Sequence, residues 1–225
     1  MRASYLAQDR ADLCECVESL ARKMVGPTEA DFADLKRLGR YLVGRPRVVL
    51  RFEPQRMYKD INIYSDSDHA GCLVTRRSTT GTAVLMGKHC VKASSGLQST
   101  IALSSGESEF YGIVKAASIG LQLQALLADW GYKVNVAVLT DSSAARGTCS
   151  RRGLGKLRHV QTRYLWVQER VARGEITVGQ VGTKNNIADM CTKPVNGYSL
   201  TKFMKMSSHH FLSGRAATAK HLVKV

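Results

Sequence analysis

The stretch Ile61–Gly71, Ile-Asn-Ile-Tyr-Ser-Asp-Ser-Asp-His-Ala-Gly, constrains the fold more than any other. It begins as an alternating strand, with Ile61, Ile63 and Ser65 on one side and Asn62, Tyr64 and Asp66 on the other. β-Branched and aromatic residues suit such a strand. Asp66 shares a side with Tyr64, in a strand whose neighbours read as buried. A carboxylate there is costly unless it is paired or binds a metal. Three later acids, Glu109, Asp141 and Asp189, are the candidates to join it in holding divalent metal ions.

The 225 residues suffice for one ordinary domain and a smaller neighbour. At 44% hydrophobic residues the chain forms a core, which excludes a disordered class. The formal net charge of +15 speaks of partners, and a polyanion is the obvious one, although a solvated basic surface explains the charge equally. The six cysteines, at 14, 16, 72, 90, 149 and 191, include no C-x-x-C pair, so zinc is not expected. No secretory signal is present, so free thiols in a reducing compartment, cytoplasmic or nuclear, are the expectation. Charge breaks the apolar stretches before membrane-spanning length, and no membrane partner is expected.

Leu13, Val17, Leu20 and Met24 recur at helical spacing, and Gly26-Pro27 ends that helix. Thr28 caps a second helix with Leu35, Leu38, Tyr41 and Leu42 on its apolar face. Val48–Phe52 reads as a short strand. Residues 1–55 thus form a unit too small to stand alone, which docks on another domain. Two further strands, Gly81–Gly87 and His89–Ser94, flank a turn at Gly87-Lys88. Ser104-Ser-Gly-Glu107 is a capping-box pattern ahead of a long amphipathic helix with Phe110, Ile113, Val114, Ala117, Leu121, Ala125 and Ala128 inward. Glu107 is explained as the N3 capping residue; Glu109 is not, and leans toward the buried side. Gly112 and Gly120 weaken a helix by about 1 kcal/mol each, which suggests close packing. Val134–Thr140 reads as a buried strand, and Asp141, taken alone, as the N-cap of the helix after it. Val160–Val171 looks helical, Glu175–Val181 is the last strand, and Ile187–Met190 starts a short helix. Residues 196–225 read as a basic tail with one short helix near Leu200–Met206; a flexible end without function is as good a reading.

Mixed hairpin and crossover connections mean an α/β domain with a mixed sheet. The acids fall mid-strand (Asp66), early in the long helix (Glu109), at a strand's C-terminal end (Asp141) and at a late helix start (Asp189); strand C-termini and helix starts are where open α/β sheets place their sites. Four converging carboxylates raise one another's pKa. Two Mg²⁺ or Mn²⁺ ions, hard cations that favour oxygen, would turn them into a device for phosphoryl chemistry.

Six motifs occur in order: Ile63-Tyr-Ser-Asp-Ser-Asp-His-Ala-Gly, Thr75-Arg-Arg-Ser-Thr-Thr-Gly, Ala102-Leu-Ser-Ser-Gly-Glu-Ser-Glu-Phe-Tyr, Leu139-Thr-Asp-Ser, Arg158-His159 with Arg163-Tyr164, and Asn186-Ile-Ala-Asp-Met-Cys-Thr-Lys-Pro. Together they closely resemble the ribonuclease H domain of Ty1/copia-type retrotransposon polyproteins. Residues 1–55 look like the C-terminal end of the reverse transcriptase that precedes it. The resemblance implies a ribonuclease H-like α/β fold, a five-stranded mixed sheet flanked by helices, over residues 58–195, preceded by a small helical segment. It makes Asp66, Glu109, Asp141 and Asp189 the catalytic, metal-binding acids, with two Mg²⁺ or Mn²⁺ ions as cofactors, and gives Asp68 a supporting role at most. The partners it implies are an RNA–DNA hybrid and the upstream reverse transcriptase domain. Basic residues Arg76, Arg77, Arg146, Arg151 and Arg152 are the candidates to track phosphates. Two departures stand out. The loop Gly182–Asn186 lacks the histidine usual in cellular ribonucleases H, leaving His159 or Lys184 as candidates to assist. No Tyr-x-Asp-Asp polymerase motif occurs, and the chain looks like a fragment.

The function expected is metal-dependent endonucleolytic cleavage of the RNA strand of a hybrid. A catalytically inactive module that binds hybrid or duplex nucleic acid is one alternative. A DNA-cutting integrase of the same fold is another, against which the helix around Glu109 argues.

Overall fold

A computed structural model describes residues 2–214 and 216, apart from 57, 156 and 158. Lys156, Arg158, Arg215, Lys220 and Lys224 lie outside the described residues.

The alternation at Ile61 becomes the central strand of the main sheet. Before it come α1 (Arg2–Asp9), α2 (Cys14–Arg22), α3 (Glu29–Gly44) and the strand β1 (Arg47–Leu50). Thr28 caps α3 in a reciprocal box with Asp31: its hydroxyl accepts the Asp31 N–H, and the Asp31 carboxylate accepts the Thr28 N–H at 2.8 Å. The sheet is built from β2 (Asp60–Asp68), β3 (Thr79–Met86), β4 (His89–Leu97), β5 (Asn135–Thr140) and β6 (Ile176–Gln180), in the order β4-β3-β2-β5-β6. β2, β3 and β4 form an antiparallel meander, whereas β2–β5 and β5–β6 are parallel. Parallel neighbours need a crossover. The long helix α4 (Ser105–Asp129) supplies the first, and α5 (Ser143–Ser150) with α6 (Trp166–Ala172) the second. The strand–strand–strand–helix–strand order read from the sequence is therefore the order found.

The sheet separates two cores. Ile61, Ile63, Val136 and Val138 face α4, α5 and α6. Ala83, Leu85 and Cys90 face the other way, onto Ala11, Cys14, Ile187, Phe203 and Met204. α4 lies very close to the sheet: a Cβ on Gly120 would stand 2.5 Å from Ile63 Cδ1, and one on Gly112 would stand 2.9 Å from Ser65 Oγ. By length and composition α4 could also cross a membrane, but its apolar face is spent on the core.

Four local readings need correction. Ala125 and Ala128 are exposed, because the buried stripe runs from Ile113 and Ala117 through Gly120 to Leu127. The helix expected from Val160 starts only at Trp166, after a 3-10 turn at Thr162–Tyr164. The helix expected at Ile187 is a 3-10 turn, Ile187–Cys191. Residues 196–212, read as part of a basic tail, are folded. Asn196 caps α7 (Gly197–Met206), and β7 (His209–Leu212) pairs antiparallel with β1, Arg47 opposite Leu212. Burial of Phe203 and Met204 holds α7 on the core.

Candidate active site

Register brings the first two acids together. Asp66, on β2, and Asp141, just past the end of β5, stand two residues beyond the parallel Tyr64–Leu139 pair. Glu109 sits one turn before Gly112, on the α4 face pressed against β2. Carboxylate oxygens of Asp66, Glu109 and Asp141 lie within 4.8 Å of one another. The N-cap of α5 is Ser142, whose hydroxyl accepts the Ala145 N–H at 3.2 Å. Asp141 is thereby left free to point into the cluster, so its reading as a cap fails.

Asp189 approaches from the opposite core. Asn186, fully buried, donates to the Ser65 carbonyl at 3.1 Å and so fastens the Ile187–Cys191 turn to β2. Gly81 faces Asp66 across the β2–β3 pair; a Cβ there would stand 2.7 Å from the Ala188 carbonyl oxygen. Only a glycine lets the turn come this near. Thr192 donates its hydroxyl to Asp66 Oδ2. Asp189 itself is outside the 4.8 Å set. Lys193 links it to Asp66, with its ammonium 3.2 Å from Asp189 Oδ1 and 3.5 Å from Asp66 Oδ2. Lys193, Thr192 and Asn186 were not singled out from sequence; all three stand in the Asn186–Pro194 motif that carries Asp189.

The electrostatics are those of crowded acids. Burial, followed by Asp66 and Asp141, pushes Glu109 up to about 8. Burial and the charge of Asp66 push Asp189 up to about 6, against the opposing pull of Lys193. For Lys193, burial works against the charge, but Asp66 and Asp189 outweigh it and raise the ammonium above its ordinary value. Glu109 Oε2 and Asp189 Oδ1 are buried without a hydrogen-bond partner. Hard oxygen donors, with Glu109 Oε2 orphaned and Asp189 Oδ1 met only by the Lys193 ammonium, fit a divalent cation such as Mg²⁺ or Mn²⁺.

Neighbouring acids serve other ends. Glu107 is buried, and its carboxylate accepts from Tyr111 Oη at 2.7 Å and the Leu103 N–H at 2.9 Å, with His159 Nε2 at 2.7 Å. Burial works to raise its pKa, but His159, Tyr111 and Leu103 together hold it below the ordinary value. Ser104 does cap α4 by accepting the Glu107 N–H, yet Glu107 reaches past the cap to meet His159. Asp68 accepts the Thr79 N–H, a structural task. Among the basic candidates Arg76, Arg77 and Arg152 are exposed. Arg146 is turned onto Gln180 Oε1 at 3.0 Å and Arg151 onto the Leu154 carbonyl at 2.8 Å.

A β-meander extended by two parallel strands, with carboxylates gathered where β2 and β5 end, defines a ribonuclease H-like fold with an acidic centre. The chain is similar to retrovirus-related Pol polyproteins of plant transposons. It is 29% identical over 202 residues to the Pol polyprotein from transposon RE1 of Arabidopsis thaliana, covering 88% of this chain and 14% of that one. It is 27% identical over 197 residues to that from transposon TNT 1-94 of Nicotiana tabacum, covering 86% and 15%. A protein of Plasmopara viticola named secreted RxLR effector protein 161 is 36% identical over 107 residues, 48% of this chain and 75% of its own length. The chain thus spans about one seventh of the polyproteins it matches. No protein-family model matches it. Among solved structures, LC11-RNase H1 isolated from compost overlays with a TM-score of 0.43 at 15% identity, covering 60% of this chain and 94% of that one. RNase H1 from Halobacterium salinarum gives 0.40 at 14%, covering 57% and 90%. At such overlaps the fold class rests on strand order and direction.

Proposed function

We propose that this chain hydrolyses the RNA strand of RNA–DNA hybrids, using divalent metal held by Asp66, Glu109, Asp141 and Asp189. The observation that carries this is the convergence of three of these carboxylates within 4.8 Å, with the buried Glu109 Oε2 left without a partner. Divalent ions, Mg²⁺ or Mn²⁺, would supply an activated water and neutralise charge on the phosphate; two ions are expected. The protein's share is positioning. Asp66, fixed by Thr192, stands between the Glu109–Asp141 side and Asp189, so its carboxylate would be available to metal held on either side. With no loop histidine, Lys193 is, among the described residues, the cationic side chain paired with Asp66 and Asp189, whereas His159 is committed to Glu107.

Arg76, Arg77, Arg146, Arg151 and Arg152 are proposed to track phosphates, and 2′-hydroxyls to mark the RNA strand. Residues 1–55 are proposed as the end of a reverse transcriptase and residues 58–195 as the ribonuclease H unit. Residues 196–225 are proposed as an extension whose α7 and β7 tie the two together, with an upstream reverse transcriptase domain as partner. Six free thiols fit a reducing intracellular setting.

The test offers a labelled RNA strand in three forms, paired to DNA, paired to RNA and single, with Mg²⁺ or with chelator. Cleavage of the hybrid alone, and only with metal, is expected. Binding of the hybrid without cleavage in either Mg²⁺ or Mn²⁺ would overturn the catalytic reading.

A further inference from the structure

The acidic centre has two halves that share Asp66. On one side Asp66, Glu109 and Asp141 gather within 4.8 Å, and Glu109 Oε2 is buried with no partner. On the other, Asp66 and Asp189 are drawn together across the ammonium of Lys193, at 3.5 and 3.2 Å. One carboxylate serving two adjacent cation positions is the layout that two-ion phosphoryl chemistry requires. Here one of those positions already holds a positive charge that belongs to the chain.

We propose that Lys193 is a built-in cation for the second position. The protein free of nucleic acid then takes up one divalent ion, on Asp66, Glu109 and Asp141, and a second enters only by displacing the ammonium. This rests on the metal-centre reading above.

The surroundings suit such a part. Lys193 follows Asp189 by four residues and Thr192 by one, and Thr192 is tied to Asp66 through its hydroxyl. Pro194 stiffens the backbone on the far side. The lysine stem therefore starts from a fixed point beside both acids. Its side chain keeps 49% of its surface exposed, so the ammonium has a path out of the centre. The ammonium is held by two ion pairs, at 3.2 and 3.5 Å, so a divalent cation, with twice the charge, can compete for the same oxygens.

The test is to count Mn²⁺ bound to the full chain without nucleic acid, by calorimetry and by the free-ion electron paramagnetic resonance signal. We expect about one equivalent for the native chain, about two for Lys193→Met and Lys193→Gln, and about one for Lys193→Arg, which restores the charge. Thermal melts in chelator establish that each variant is folded, and the two neutral variants serve as checks on each other. Two equivalents on the native chain, or one on both neutral variants, overturn the role of Lys193 while leaving the metal centre intact. No binding to any of the four overturns both.

Discussion

Glu107 and Glu109 differ by two positions and by everything around them. Glu107 is buried with three partners, so Glu107→Gln breaks a satisfied network and is expected to destabilise the protein by about 2 kcal/mol, read in denaturant melts. Glu109 is buried and crowded by Asp66 and Asp141, and its folded pKa rises from 4.5 to about 8. A carboxyl raised on folding lends stability that is whole below its unfolded value and is lost as pH climbs to the folded one. The metal-free melting temperature should therefore fall between about pH 5 and pH 8, and Glu109→Gln should flatten that fall. Asp189, raised to about 6, adds to the lower part of the same window. A slope unchanged by Glu109→Gln would contradict the burial and crowding of this carboxyl. Metal binding must expel the proton from Glu109, so Mn²⁺ affinity should climb across the same range.

At the scale of elements, the close approach of α4 to β2 makes Gly120→Ala a sharp probe. Helix propensity favours the alanine by about 1 kcal/mol, but its methyl would meet Ile63 and Val136 at 2.5 Å. Overpacking of about 1–3 kcal/mol wins, and net destabilisation is expected in thermal melts. In the same way Met204→Ala, which opens a cavity under α7, should cost about 2–5 kcal/mol; a loss below about 0.5 kcal/mol would mean that α7 is not part of the core. These elements also mark what sequence could disclose. The Ile61 strand, the Gly87 hairpin and the α4 start were legible because period, turn and cap are local properties of the chain. The pairing of β7 with β1 was not, since four residues, His-His-Phe-Leu, find their partner about 160 positions away. The place of Asp66, Glu109 and Asp141 followed from motif order. That Lys193 would stand between Asp66 and Asp189 depends on how near Gly81 lets the Asp189 turn approach, a tertiary fact.

Over the whole molecule the +15 charge and the acidic centre oppose each other, and the proposed function has the first draw a polyanion toward the second. Hybrid binding should weaken steeply with salt, and neutralising Arg76 and Arg77 together should reduce the log–log slope by about 2; an unchanged slope would place the contact face elsewhere. The central claim is narrower: the gathered carboxylates hold metal in order to cut RNA. Its most direct test compares cleavage of a hybrid's labelled RNA strand by the native chain and by Asp141→Asn, each in Mg²⁺. Losing a supporting partner of a metal ligand costs 10–100-fold, so losing a ligand should reduce the rate by at least about 100-fold, with the melting temperature in chelator held or raised. Equal cleavage by both proteins would contradict the account.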